Sequence, residues 1–303
     1  MRRTIVALLV LMWAGACSDS GGPDDIVEDS DLSGVVISDP LFAVAARAAP
    51  VSAASQDEDE RIFASLGTGT ASGGVIASVM SSSGAFPVWT TIREGGFDPV
   101  AVFAAVDDSV QIDVRNAMGA SVYTASVPVR GSRRPKVVRT FPPPRKRDVP
   151  LNSSVVIVFS EPVDPTTISS ATVRLQTRGG NVVPGNARVM PGGGTTVAFT
   201  PSAPLARNTD YLLSITQGVA DFEGEALETA VAASFQTGQA TVGAPVFVDV
   251  NPDTVYVAGA TYQMSLTVQD AAGNALIDQP VTWESSDPNG LTVSTTGLVT
   301  PIV

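Results

Sequence analysis

With 303 residues the chain has room for two or three domains of ordinary size, and 44% hydrophobic content supports real cores. It contains no histidine and one cysteine, Cys17, which removes the usual general base, the Ser–His and Cys–His nucleophile pairs, internal disulfides and cysteine-built zinc sites. A net charge of −12 argues against nucleic-acid binding through phosphates.

Met1-Arg2-Arg3 makes a positive start, and Thr4 to Trp13 is an apolar run too short to span a bilayer. Ala14-Gly15-Ala16 then lead into Cys17. This resembles the lipobox of bacterial lipoproteins, with Ala14 where that family prefers Leu. The resemblance implies a signal peptide over 1–17, acylation of Cys17 and a multi-chain lipid anchor of the kind that holds stably. Ser18 after the cysteine implies the outer membrane by the same resemblance. A plain secretory signal cleaved near Ala16 is the alternative. Residues 18–34, rich in acids and turn formers, are expected to be a disordered acidic tether.

Residues 35–129 have a β pattern. Candidate strands are 35–37, 61–66, 74–79, 100–103, 110–114 and 120–127, with Val110-Gln111-Ile112-Asp113-Val114 alternating as a half-buried strand does. Gln56-Asp57-Glu58-Asp59-Glu60 suits an exposed loop, Leu41 to Ala54 either a short helix or an irregular crossing, and 95–100 a turn feeding a strand. An immunoglobulin-like sandwich is the expected fold. Residues 130–137 are expected to be a basic linker. Arg130, Arg133, Arg134, Lys136, Arg139, Arg145, Lys146 and Arg147 crowd this region around the stiff Pro142-Pro143-Pro144. They are either a solvated linker or a basic seam, with Arg145, Lys146 and Arg147 the contacts for anionic polymer or lipid headgroups.

Between 138 and 238 the pieces Val138-Arg139-Thr140-Phe141-Pro142-Pro143, Val155-Val156-Ile157-Val158-Phe159-Ser160-Glu161-Pro162-Val163-Asp164, Val197-Ala198-Phe199-Thr200-Pro201, Thr209-Asp210-Tyr211 and Ser234-Phe235-Gln236-Thr237-Gly238 follow in order. This stretch resembles the S-layer-type (group 5) bacterial Ig-like domain. Tyr211 is placed to pack its ring while its hydroxyl bonds backbone, and Asp221-Phe222-Glu223-Gly224-Glu225 keeps the family's turn glycine but loses its Asn. After a linker at 239–244, residues 245–303 resemble a group 2 bacterial Ig-like domain of invasin- and intimin-like proteins, through Val250-Asn251-Pro252-Asp253, Leu266 to Asn274 and Val281-Thr282-Trp283-Glu284. Members of that family continue for another strand or two past the point that Val303 reaches, so an incomplete sandwich with an open edge is expected here.

Carboxylates are the remaining site material: after Arg207 the chain has no basic residue but eleven acidic ones. Asp270-Ala-Ala-Gly-Asn274 and Asp287-Pro-Asn289-Gly are turn formers rather than calcium loops, so no catalytic residue, cofactor or metal is expected. Together these features describe an all-β chain of tandem Ig-like sandwiches behind a signal peptide and tether. The expected role is a lipid-anchored surface protein of structural or adhesive kind. Its expected partners are the membrane through Cys17 and a cell-wall polymer, glycan or protein ligand, with no nucleic acid. The alternative is the binding region of a longer exported enzyme.

Overall fold

Period-two burial shapes the strands. In Ser109–Arg115, Val110, Ile112 and Val114 are buried while Gln111 and Arg115 face water, as a pleated strand over a core requires. The computed structural model describes residues 29–38, 61–84, 87–131, 133–190, 194–243, 245–251, 262–271, 291–293 and 297–301, with single positions 273, 275, 276 and 283. The expected signal peptide with Cys17, the 41–54 segment and the acidic run 56–60 lie outside them.

Among the described residues the first sandwich has seven strands: β1 (Val35–Ile37), β2 (Arg61–Leu66), β3 (Ile76–Ser81), β4 (Val88–Thr91), β5 (Phe97–Phe103), β6 (Ser109–Arg115) and β7 (Ser121–Pro128). Three of them form a β1-β2-β5 sheet and four a β4-β3-β6-β7 sheet. Ile37, Ile62, Leu66, Val79, Val100, Val102 and Ile112 fill the space between. Pro99 is tolerated within β5 because that strand is a sheet edge. The turn before β5 closes through Arg93 and Gly96. A side chain at Gly96 would run into the Leu66 carbonyl at 2.3 Å, so the approach of the two backbones demands glycine.

The second sandwich contains β8 (Val137–Phe141), β9 (Lys146–Val149), β10 (Val155–Phe159), β11 (Val173–Thr177), β12 (Gly185–Val189), β13 (Thr196–Pro201), β14 (Asp210–Ile215) and β15 (Val231–Thr237). Its sheets run β12-β13-β10-β8 and β11-β14-β15-β9. The triple proline lies between β8 and β9, where the chain leaves one sheet and joins the other, so β9 runs parallel to β15. Val137, Ile157, Phe159, Leu175, Phe199, Leu213, Ile215 and Phe235 make the core. Tyr211 stacks on Phe235 with ring centroids 5.5 Å apart, and its hydroxyl accepts the Ala206 N–H at 2.8 Å. That contact fastens the loop before β14 to the core.

In the last stretch, β16 (Pro245–Asn251) pairs with β18 (Ser265–Asp270), while β17 (Tyr262–Gln263), β20 (Leu298–Pro301) and β19 (Leu291–Val293) form a small sheet. Phe247 and Val248 on β16 are exposed. The Trp283 ring lies so close to Gly297, which has φ of +83°, that a Cβ there would meet it at 2.8 Å. The fold is all-β, in agreement with the sequence pattern. No helix among the described residues is long and apolar enough to cross a membrane.

Candidate functional site: a sandwich joint and an open sheet face

Every residue of β10 is buried. Val155, Ile157 and Phe159 point into their own core, but Val156 and Val158 point outward and cluster with Val138 and Phe141. Strand register puts Arg139 opposite Val158, on that same outer face. From there its guanidinium grips Asp98 on β5 of the first sandwich, Nε to Oδ1 at 2.5 Å and Nη2 to Oδ2 at 2.8 Å. Each of these side chains is only 19% exposed. An apolar patch with a two-pronged ion pair beside it suits a joint, and the pair ties β5 of the first sandwich to β8 of the second. Burial pushes the Asp98 carboxyl up, but the charge and hydrogen bonds of Arg139, with Arg93 helping, hold it below the ordinary 3.8.

The N-terminal segment adds a second tie. Asp29 Oδ1 accepts the Ser234 N–H at 2.5 Å, and its Oδ2 accepts the Ser234 hydroxyl at 3.0 Å and Arg145 Nε at 3.2 Å. Ser30 N–H donates to the Ala232 carbonyl at 2.9 Å, the Ala232 N–H donates back to the Ser30 hydroxyl at 3.0 Å, and Leu32 packs against the second core. These contacts cover the half of the β15 edge that β9 does not reach, so its N–H and C=O groups are paired. The tether expected over 18–34 is therefore not free throughout: residues 29–32 are docked because β15 offers an edge in need of partners. Three residues later the chain enters β1, and the first sandwich begins from a point fastened to the second.

The basic stretch is also more engaged than a solvated linker. Arg133 donates to the Pro128 carbonyl, Arg134 pairs with Glu225 at 3.6 Å and Lys136 with Glu228 at 3.0 Å. The two ion pairs stay about half exposed and, with the Glu228 N–H donating to the Pro135 carbonyl at 2.9 Å, they link residues 134–136 to the turn before β15. Arg145, Lys146 and Arg147 follow one another from the turn into β9. Arg145 is held by Asp29, whereas Lys146 and Arg147 are exposed and form no ion pair among the described residues.

Among the described residues, acidic side chains do not converge into a metal site. No group of three or more potential ligands occurs among the described residues. Asp221 is buried and works inside its turn, where Oδ1 accepts the Glu225 N–H at 2.8 Å and Gly224 takes φ of +90°. Burial pushes its carboxyl above the ordinary 3.8 despite the backbone donors around it. The turn thus tolerates Glu225 where the resembled family has Asn, because the backbone N–H at that position makes the closing bond. Asp270 begins a turn closed by Gly273, as a turn former would. Asp287 and Asn289 lie outside the described residues.

On the β4-β3-β6-β7 sheet, Gln111, Thr124 and Ser126 of the outer face are exposed, and β17 comes close to the edge strand β4. Cross-strand register lines up Trp89, Ser78, Asp113 and Thr124 in one row and Met80, Gln111 and Ser126 in the next. Trp89 is 41% exposed. Together they line an open depression of about 530 Å³. Asp113 is held below the ordinary carboxylate value by the Ser121 hydroxyl at 2.6 Å and by Arg115 at 2.8 Å. Sequence reasoning singled out none of these residues as a site. The uninterrupted apolar run Val155–Phe159 was the one available signal for the joint, since a strand buried on both faces reads that way.

Residues 131–237 match the bacterial Ig-like domain family, and residues 246–301 match the bacterial Ig-like domain (group 2) family. Solved structures similar to the chain include the N-terminal part of the bacterial S-layer protein SbsC, at 21% identity with a TM-score of 0.29, covering 48% of this chain and 32% of that one. A longer form, rSbsC(31-844), is 21% identical with a TM-score of 0.31, over 48% of this chain and 19% of that one. CopC from Methylosinus trichosporium OB3b is 15% identical with a TM-score of 0.29, over 34% of this chain and 93% of that one. The chain thus spans about a third or less of the S-layer chains it matches. No curated protein matches it.

Proposed function

We propose that this chain, whose residues 131–237 and 246–301 are bacterial Ig-like domains, is an exported, lipid-anchored surface protein that presents a stiff pair of β-sandwiches and performs no catalysis. The observation that carries the reading is the joint. Arg139 and Asp98 tie two sandwiches together through a largely buried ion pair, and such a joint suits holding a surface in a fixed orientation better than opening and closing around a substrate. The missing histidines and the lack of an acidic cluster among the described residues fit a presenting role. Cys17 behind its apolar leader supplies the anchor.

Fatty-acid labelling in a bacterial host tests the anchor. The native chain takes up labelled palmitate, stays with the membrane fraction and accumulates as an unprocessed precursor when globomycin is added. Cys17→Ser loses the label. Equal labelling of the two forms, or none in either, sinks the lipoprotein assignment.

A further inference from the structure

We propose that the outer face of the β4-β3-β6-β7 sheet binds an extended, uncharged polysaccharide strand. Of the first sandwich's two sheets, the one containing β5 carries the ion pair to the second sandwich; on the four-stranded sheet β17 comes close to the edge strand β4, but Gln111, Thr124 and Ser126 stay exposed. Trp89 remains 41% exposed in this setting.

The lining chooses the chemistry. Trp89 and Met80 offer apolar contact of the kind that receives the C–H face of a sugar ring, and a tryptophan costs little conformational entropy to use. Gln111 beside them is donor and acceptor at once, and the Thr124 and Ser78 hydroxyls are the same, which matches the mixed donors and acceptors of sugar hydroxyls. Asp113 and Arg115 neutralise each other across 2.8 Å, so the face attracts neither polyanion nor polycation. A protein partner would call for a broad apolar patch, whereas here each apolar side chain stands among polar ones. The depression is open rather than enclosed, so a ligand lies across the strands instead of entering a cavity. Four strands spaced about 4.8 Å apart give a platform roughly 14 Å wide, long enough for several contacts with a polymer.

This proposal rests on the presenting role for access to its ligand, but purified protein tests it separately from the anchor. The full chain is mixed with cellulose, chitin and insoluble β-1,3-glucan, each sedimented, and with heparin-agarose as the anionic control. The expected result is co-sedimentation with at least one neutral polymer, weakened about tenfold in Trp89→Ala and clearly in Gln111→Ala. Replacing Lys146 and Arg147 by Gln leaves it unchanged. Both altered side chains on the platform are outward-facing, and an unchanged melting curve confirms that the variants fold. Retention on heparin alone, no retention on any neutral polymer, or retention that ignores Trp89 and Gln111 overturns the proposal.

Discussion

Arg139 is the residue that most clearly turns two folded units into one. Its charge is withdrawn from water to meet Asp98, which is acceptable only because both carboxylate oxygens are engaged. Removing the guanidinium strands the carboxylate. Arg139→Ala is therefore expected to lower stability by roughly 3 kcal/mol at neutral pH, as breaking a largely buried pair does. The pH dependence follows from the same pair. Asp98 has a folded pKa below its ordinary 3.8, so the stability it contributes is present above about pH 4 and is lost as pH falls through the folded value. Asp221, pushed the other way, contributes stability at low pH that is lost as pH rises through its raised pKa. Melting curves from pH 7 down to pH 2 separate the two: Arg139→Ala flattens the acid loss due to Asp98 and leaves the effect of Asp221 in place. An unchanged melting temperature with an unchanged acid slope would show that the pair does not hold the joint.

Among the elements, β15 explains why an acidic leader becomes structure. Its edge is half covered by β9, and Asp29 and Ser30 complete it with two backbone N–H groups satisfied by side chains. Asp29→Ala is expected to speed hydrogen exchange at the Ser234 and Ala232 amides about tenfold, leaving Ile112 and Val114 of β6 as protected as before. If the two β15 amides exchange at their original rates, the segment contributes nothing there. Little of this was legible beforehand. Alternating residues revealed most strands of the first sandwich, including β6, because a strand with one wet face writes its pleat into the sequence. β4 escaped notice: Val88–Thr91 is four residues long and follows Pro87, too brief for a period to show. Asp29 looked like tether because its partners lie two hundred positions away, and no local pattern encodes a distant strand edge. Arg134 and Lys136 looked like linker for the same reason, since Glu225 and Glu228 are supplied by a distant turn.

At the scale of the whole molecule, the outward valines of β10 lie beside the Arg139–Asp98 tie between the two sandwiches. Val156→Asp together with Val158→Asp leaves each sandwich core intact, since both side chains point away from their own core. The pair of changes is expected to enlarge the radius of gyration in small-angle scattering and to split one calorimetric transition into two. Scattering and calorimetry identical to the parent would mean that the sandwiches are held elsewhere.

Asp29 and Ser234 lie 205 positions apart, so the contact between them also has a timetable. At about 5–20 residues per second of synthesis, Asp29 emerges roughly 10–40 s before its partner exists. Through that interval the beginning of the chain waits for an acceptor, and the first sandwich folds without the tie that will finally restrain its entry. A polypeptide released early, before position 234, would keep its leading segment unattached, and a quality-control protease could tell it from the finished product by that loose end.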